Sequence, residues 1–327
     1  MMIMTPKERA IKAFNLQQPD QVPTFELEFQ LEEEMFGPIP LTAGDFTKEK
    51  LAGLSKIEIE KKIFALCEYK AHVYKSLEYA IWPMIYLPDM WQSDGSLSEN
   101  QKLAIKYTLQ LGEGKYMIHC HGDGTYSIPD GNNMYNFAYR LEDDFDGVLT
   151  DAENMCKYAI EHNKRIIDAG VETLILCADY CYNMGPFVSP DMFSKIITPY
   201  LARICEDGRK NGAYVIKHTD GDIMPIIDQL VDCKPHALHS LDPMARVDIK
   251  KVKELYGDKI ALCGNVNCAL MQTGTDEEVI ESAKYCLTYG KPNGGYFYCT
   301  SNVPFKGLPA ERYQLILDVW KNYRVYK

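Results

Sequence analysis

The sequence of 327 residues lacks the features that direct a protein to nucleic acid or to a bilayer. It has no run of basic residues, and its formal net charge of −11 at pH 7 opposes binding to phosphate backbones or to anionic membranes. No stretch approaches the roughly 20 apolar residues that a membrane-spanning helix needs. The opening residues MMIMTPKERA contain no extended apolar region. We therefore expect a cytoplasmic protein without a nucleic-acid or membrane partner.

Regular cysteine spacing and a dinucleotide fingerprint are also missing. The 11 cysteines are scattered without a repeating interval, which is typical of thiols in a reducing compartment and not of a disulfide framework. No GxGxxG motif follows a predicted strand, so a dinucleotide-binding fold has little support. The evidence for function therefore comes from the predicted strands and from the side chains at their ends.

Eight short segments have the pattern of buried strands, and helical patterns separate most of them. They span residues 21–29, 80–89, 116–124, 173–180, 214–221, 237–243, 259–267 and 295–302. Strands that alternate with helices predict a parallel sheet, and eight of them in one chain favour a closed (β/α)8 TIM barrel. We predict a single α/β domain over residues 1–327, with a helical N-terminal elaboration at about 30–78 between the first two strands.

Candidate metal ligands follow the apolar part of several strands, at the edge where barrels of this kind have their active site. His218 and Asp220 lie two residues apart in the stretch YVIKHTDGD, so their side chains point to the same side of the strand. Asp242 ends the next segment and Cys299 ends the last one. Because a closed barrel makes its last strand a neighbour of its first, these four side chains can converge. Imidazole, carboxylate and thiolate together suit zinc.

Other strand ends supply candidate catalytic and substrate-binding groups. His119 and His121 are candidates for a general acid or for hydrogen-bond donors to a substrate. Asp179 follows an apolar run, and a buried carboxylate there needs a partner. The candidate catalytic residues are His119, His121, Asp179 and Glu26, and the candidate substrate-binding residues are Trp82, Tyr86, Tyr180, Asn265 and Asn302.

Six segments of the chain are distinctive: TPKERAIKAFNLQQPDQVP, GPFVSPDMFSKIITPYLARI, HTDGDIMPIIDQLVD, LYGDKIALCGNVN, TGTDEEV and GGYFYCTSN. They resemble the uroporphyrinogen decarboxylase superfamily, and most of all its cobamide-dependent methyltransferase branch. The resemblance covers almost the whole chain in order and implies a (β/α)8 barrel. It also implies a zinc ion and a corrinoid. The sequence has no D-x-H-x-x-G stretch of a cobalamin-binding domain, so we expect a partner protein to carry the corrinoid.

Two chemistries occur in that superfamily. The decarboxylase carries arginines just after its first strand for a substrate with several carboxylates, whereas this chain reads FELEFQLEEEMFG there. The methyltransferase branch holds zinc through H-x-C on one strand, in some members a carboxylate on the next, and a cysteine on the last. His218, Asp242 and Cys299 stand in comparable places, and Asp220 stands where the first cysteine is expected. Asp220, Cys263 and a water molecule are alternatives for the weakest ligand.

A carboxylate in place of a thiolate leaves a harder, more Lewis-acidic zinc ion. We therefore expect a zinc-dependent methyltransferase of anaerobic metabolism that moves a methyl group between a small, methoxylated substrate and the cobalt of a corrinoid protein, as an O-demethylase does. The alternatives are methyl transfer from a methylcorrinoid to a thiol, cofactor-free decarboxylation, and ligand binding without catalysis. A homodimer is compatible with the sequence.

Overall fold

The computed structural model describes residues 3–326, and within them the chain forms nine strands. These are β1 (Ile81–Pro83), β2 (Met117–His121), β3 (Thr173–Cys177), β4 (Cys181–Tyr182), β5 (Gly185–Pro186), β6 (Tyr214–Thr219), β7 (Ala237–Ser240), β8 (Ala261–Cys263) and β9 (Tyr296–Phe297). Seven of them form one curled parallel sheet in the order β1-β2-β3-β6-β7-β8-β9. Strands β4 and β5 form a separate antiparallel pair.

In the first predicted strand, Thr24 is the residue that connects the two edges of this sheet. Thr24 forms a parallel bridge with Tyr298, whose backbone N–H donates to the Pro23 carbonyl at 3.0 Å. On the other side the Ala80 N–H donates to the Thr24 carbonyl at 2.8 Å. Pro23 has no N–H to contribute to a longer ladder. The contacts on both sides of Thr24 are consistent with the predicted (β/α)8 barrel.

Fourteen α-helices lie within the described residues. They are α1 (Pro6–Phe14), α2 (Glu32–Phe36), α3 (Lys48–Leu51), α4 (Lys56–Ser76), α5 (Glu99–Gly112), α6 (Met134–Asp143), α7 (Phe145–Asp168), α8 (Pro190–Ile196), α9 (Thr198–Lys210), α10 (Ile227–Asp232), α11 (Ile249–Tyr256), α12 (Cys268–Thr273), α13 (Asp276–Gly290) and α14 (Ala310–Tyr323). Helices α2 to α4 come between the Thr24 segment and β1, and a 3-10 turn at Ala43–Phe46 lies between α2 and α3. None of the helices in residues 3–326 has the length and apolar character that crossing a bilayer requires.

Successive strand residues belong to two different cores, because side chains alternate between the two faces of a strand. Ile216 on β6 packs in an inner cluster with Ile175 and Phe297, and α1 contributes Phe14 to the same cluster. Val215 packs in a larger outer cluster between the strands and the surrounding helices. The phase of this alternation decides which polar residues at the strand ends face the interior of the sheet.

Candidate metal and substrate site

Three side chains converge at the carboxyl ends of β3 and β6. Nε2 of His218 lies 3.8 Å from Oδ1 of Asp179 and 3.9 Å from Oδ1 of Asp220. Atoms able to bind a metal, one from each of the three residues, all lie within 4.8 Å of one another. We call these residues the metal cluster. One nitrogen and two oxygens at this spacing can surround a single divalent ion.

Strand register explains why these three residues meet. Cys177 on β3 pairs with His218 on β6, so Asp179 and Asp220 each lie two residues beyond that pair. Because side chains two apart share a face, both carboxylates emerge on the side that His218 occupies. The backbone N–H of Asp220 also donates to Oδ1 of Asp179 at 3.0 Å, which fixes the two strand ends relative to each other.

Asp220 has the local environment of a cation ligand. Its Oδ2 accepts a hydrogen bond from Nδ2 of Asn302 at 2.6 Å. Its Oδ1 is buried without a well-aligned partner within residues 3–326, because the neighbouring Ser240 hydroxyl donates to the Ser301 carbonyl at 2.7 Å. Burial raises the pKa of Asp220 to about 6, and the charge of Asp179 adds to that rise. An unpaired buried carboxylate oxygen is costly, and a bound cation would compensate it. The residues present therefore fit a divalent metal ion.

A second histidine determines how His218 presents its ring. Nδ1 of His218 lies 2.7 Å from Nδ1 of His239, so one of the two nitrogens carries the proton. Burial lowers the pKa of His218 to about 3 and that of His239 well below its ordinary value, so both rings are neutral. If His218 binds an ion through Nε2, its proton is on Nδ1 and is donated to His239. The Nε2 proton of His239 then has the backbone carbonyl of Thr300 as its polar neighbour.

The two other predicted metal ligands lie in different environments. Both carboxylate oxygens of Asp242 accept backbone hydrogen bonds, from Gly221 at 3.2 Å and from Met244 at 2.9 Å. Cys299 is fully buried in the inner cluster together with Cys263, and burial raises the pKa of both thiols well above the ordinary value. The structure thus groups Asp179 with His218 and Asp220, and it does not bring Asp242 or Cys299 into that group.

Two of the predicted catalytic residues line a pocket beside the metal cluster. His119 and His121 lie on β2 at one wall of a cavity of about 320 Å³, and Tyr86 lines it as predicted. The Tyr86 hydroxyl accepts the backbone N–H of His121 at 2.8 Å. His121 is close enough to His218 for the two rings to interact electrostatically. The pocket and the metal cluster are therefore neighbours at the same end of the sheet.

The fourth predicted catalytic residue, Glu26, is enclosed between the sheet and α14. Its two oxygens accept the backbone N–H of Thr300, each at 3.2 Å, and Oε1 also accepts the Tyr313 hydroxyl at 3.1 Å. The Thr300 hydroxyl also lies within hydrogen-bond distance of Oε2 and of the Asn302 carbonyl. Burial raises the pKa of Glu26 to about 8, so the carboxyl group is largely protonated at neutral pH. Glu26 therefore connects the Thr24 segment with the residues after β9, and it does not face the pocket. We call this contact of Glu26 with Thr300 and Tyr313 the seam.

Three predicted substrate-binding residues are used inside the fold. Trp82 is fully buried in the outer cluster, and the Tyr180 hydroxyl lies 2.6 Å from that of Thr125. Asn265 donates through Nδ2 to the Leu241 carbonyl at 2.6 Å. All three positions are away from the cavity beside His121. For Trp82 the sequence carries a signal of this position. Ile81 faces the interior of the sheet, so its neighbour Trp82 faces the surrounding helices.

Two contributions to the site were not anticipated from the sequence. Asp179 was predicted to be catalytic and not a metal ligand, although its place two residues after Cys177 gives it the phase of His218. The far wall of the pocket comes from the helical region after the first strand, where Glu32 and Lys70 form an ion pair. No strand pattern points to that wall, because its residues come from α2, from α4 and from the connecting segment at 39–43.

Comparison with known proteins identifies the family. Residues 125–306 match the model of the uroporphyrinogen decarboxylase (URO-D) family. The chain belongs to the URO-D family. No curated protein sequence matches it.

Solved structures resemble this URO-D chain over nearly its full length. A methyltransferase from Methanosarcina mazei superposes with a TM-score of 0.71 at 14% identity, covering 98% of this chain and 99% of the other. A Listeria monocytogenes protein described as a vitamin-B12 independent methionine synthase gives 0.50 at 10% identity, with 92% and 98% coverage. At these identities the similarity establishes a shared fold.

Proposed function

We propose that the protein is a zinc-dependent methyltransferase that moves a methyl group between a small methoxylated substrate and the cobalt of a corrinoid protein. The observation that carries this proposal is the metal cluster, with the unpartnered Oδ1 of Asp220 beside a pocket for a small molecule. Membership of the URO-D family and the fold shared with the M. mazei methyltransferase support it.

Asp179, His218 and Asp220 would hold the ion. When bound, zinc would supply Lewis acidity towards the ether oxygen of the methyl donor, which is worth several kcal/mol in reactions of this type. Asn302 holds the carboxylate of Asp220 through Oδ2, and His239 fixes the ring of His218 through Nδ1. Such partners orient metal ligands and set the tautomer of a ligating histidine.

The pocket would orient the substrate next to this cluster. His119 is buried with a pKa lowered to about 3, and burial also lowers the pKa of His121. Both rings are therefore neutral at physiological pH, and each can donate one hydrogen bond and accept another. Apolar side chains from the helical region cover the opposite wall and reduce the access of water.

The ligand set favours an oxygen-bearing substrate over a thiol. One imidazole and two carboxylates make a harder site than the sulfur-rich set that suits thiolate activation. Thiol methylation is therefore the weaker alternative.

Cofactor-free decarboxylation also has less support. It needs a free cation near the substrate, but Lys217 is buried and donates to Asp123 at 2.7 Å, and Lys306 pairs with Glu33 at 2.8 Å.

Metal content and turnover test the proposal together. Protein purified without oxygen should contain about one zinc per chain, and His218→Ala should contain none. Cys299→Ala is the matched comparison, and it should keep its zinc because the thiol lies outside the metal cluster. The zinc-loaded protein should demethylate 2-methoxyphenol when a cobalt(I) corrinoid protein is supplied, followed by the absorbance change of methylcobalt(III) formation. Absence of zinc uptake, or faster methylation of a thiol than demethylation of any methoxy compound, would refute the proposal.

A further inference from the structure

The pocket beside the metal cluster is lined by both apolar and polar side chains. Its volume of about 320 Å³ lies at the low end of the range for small-molecule sites and is large enough for one substituted aromatic ring. Leu41 and Leu66 line the part formed by the helical region, Ile85 lines it just after β1, and His119 and His121 line the part on β2. The volume and the lining suit a small molecule with an apolar body and a hydrogen-bonding group.

His119 indicates where that hydrogen-bonding group lies. The side chain is 1% exposed and lines the pocket. Neither ring nitrogen makes a well-aligned hydrogen bond within the described part of the chain, and its polar neighbour is the backbone carbonyl of Glu26. Buried polar atoms are nearly always satisfied in native proteins, so the vacant hydrogen-bonding capacity of His119 points to a ligand or to an ordered water.

The charges in the pocket wall disfavour an anion. Three charged side chains line the cavity within residues 3–326, namely Glu28, Glu32 and Lys70. Lys70 forms an ion pair with Glu32, whose side chain is only 7% exposed. Glu28 accepts a hydrogen bond from Gln30 at 3.1 Å, and within residues 3–326 no cation of the pocket wall forms an ion pair with it. A carboxylate on the ligand would therefore meet a net negative wall and would find the single cation already paired.

We propose that this pocket binds uncharged aromatic methyl ethers and rejects their carboxylated analogues, and that the Glu32–Lys70 pair together with Glu28 sets this selectivity. The inference rests on the proposed methyl transfer, because it assigns the substrate class of the same site. His119 contributes the hydrogen bond to the ring substituent. The selectivity arises from repulsion of the wrong ligand as much as from attraction of the right one.

A matched set of three ligands separates charge from size. Calorimetry would compare 2-methoxyphenol with 4-hydroxy-3-methoxybenzoate, which adds a carboxylate to the same ring, and with the corresponding benzamide, which adds an uncharged group of the same shape. We expect 2-methoxyphenol and the amide to bind, and the carboxylate to bind at least about 10-fold more weakly than the amide. Equal or tighter binding of the carboxylate, or no binding of any of the three, would overturn the inference.

Removing the partner of Lys70 should reverse the selectivity. Glu32→Gln keeps the shape of the side chain and leaves the lysine charge unpaired, so we expect carboxylate binding to improve about 10-fold while amide binding stays unchanged. Glu33→Gln is the matched control, because Glu33 pairs with Lys306 on the surface and does not line the pocket. Since Glu32 is buried, the exposed Glu28→Gln provides a second test, with an expected gain of about threefold.

The binding experiment is independent of turnover. It uses the full chain, with and without added zinc, and needs no corrinoid protein. Unchanged carboxylate binding in both Glu32→Gln and Glu28→Gln would overturn the inference while leaving the metal and methyl-transfer tests intact. Loss of the hydrogen bond in His119→Leu should weaken 2-methoxyphenol binding about 10-fold, and unchanged binding in that variant would remove His119 from the site.

Discussion

Two carboxyl groups, one partly buried and one fully buried, have opposite environments. Asp220 in the metal cluster has one oxygen held by Asn302 and the other without a well-aligned partner, and its side chain is still 29% exposed. Glu26 in the seam is 1% exposed, and its oxygens accept hydrogen bonds from Thr300 and Tyr313. Burial raises the pKa of both groups, to about 6 and to about 8. Burial and a raised pKa therefore do not identify a functional carboxylate, whereas an unsatisfied oxygen near other ligands does.

The same difference assigns a role to each group. A protonated Glu26 bonded on both oxygens stabilises the closure between the Thr24 segment and the end of β9. An ionised Asp220 facing His218 Nε2 is arranged to receive a cation. Variants that exchange or remove these features test the comparison.

The largest expected effect is on the pH dependence of stability. The folded protein keeps the Glu26 proton up to about pH 8, whereas an unfolded chain releases it near the ordinary value of 4.5. The unfolding free energy should therefore fall as the pH rises through this window, and the contribution is fully present only below about pH 4.5. Glu26→Gln cannot ionise, so it should be more stable than the unaltered protein at pH 9 by on the order of 4 kcal/mol. Urea unfolding at pH 5, 7 and 9 measures this, and an unchanged pH dependence in the variant would contradict it.

Asp220→Asn should have the next largest effect, and it should act on metal binding. The amide loses the negative charge that a divalent ion requires, so we expect zinc affinity to fall at least about 100-fold in competition with a chelator. Glu26→Gln is the control, and its zinc affinity should match that of the unaltered protein. Equal losses in the two variants would mean that the metal cluster and the seam are not functionally separate.

Removing one hydroxyl from the seam should cost less. Thr300→Val removes the hydroxyl that hydrogen-bonds with Glu26 and keeps the backbone donor, so the unfolding free energy at pH 7 should fall by about 1–3 kcal/mol. Thr300→Ser retains the hydroxyl and should lose much less. If serine and valine were equally destabilising, packing and not the hydrogen bond would account for the role of this residue.

The smallest expected effect concerns the histidine behind the metal cluster. His239→Leu removes the acceptor for Nδ1 of His218 and should weaken zinc binding about 10-fold. His239→Gln offers a carbonyl oxygen in a similar place and should restore most of that affinity. Similar losses in both variants would exclude a positioning role through this hydrogen bond.

Much of the fold follows from sequence periodicity. Seven of the eight predicted segments contain the seven strands of the curled sheet, because buried parallel strands appear as short apolar runs bounded by turns. The segment at 21–29 has the strand pattern but makes isolated bridges, at Gln21 and at Thr24, since Pro23 lacks the N–H that a longer ladder would need. The local sequence pattern does not indicate how many backbone hydrogen bonds an adjacent strand will form with the segment.

The site was predicted less completely, because the prediction did not consider which face of each strand a side chain occupies. Phe25 and Leu27 face the inner cluster, so the alternation that identified the segment already placed Glu26 on the opposite side. Beyond a strand end the alternation persists in some segments and not in others: Asp179 keeps the phase of Cys177 and faces His218, whereas Asp242 accepts backbone donors. The pocket wall from α2 and α4 depends on long-range packing that no local motif encodes.

X-ray absorption at the zinc edge tests the central claim most directly. If Asp179, His218 and Asp220 hold the ion, the first shell of the zinc-loaded protein contains only nitrogen and oxygen, at about 2.0–2.2 Å. A sulfur scatterer at about 2.3 Å that disappears in Cys299→Ala would contradict this assignment and place the thiol of the last strand in the metal site.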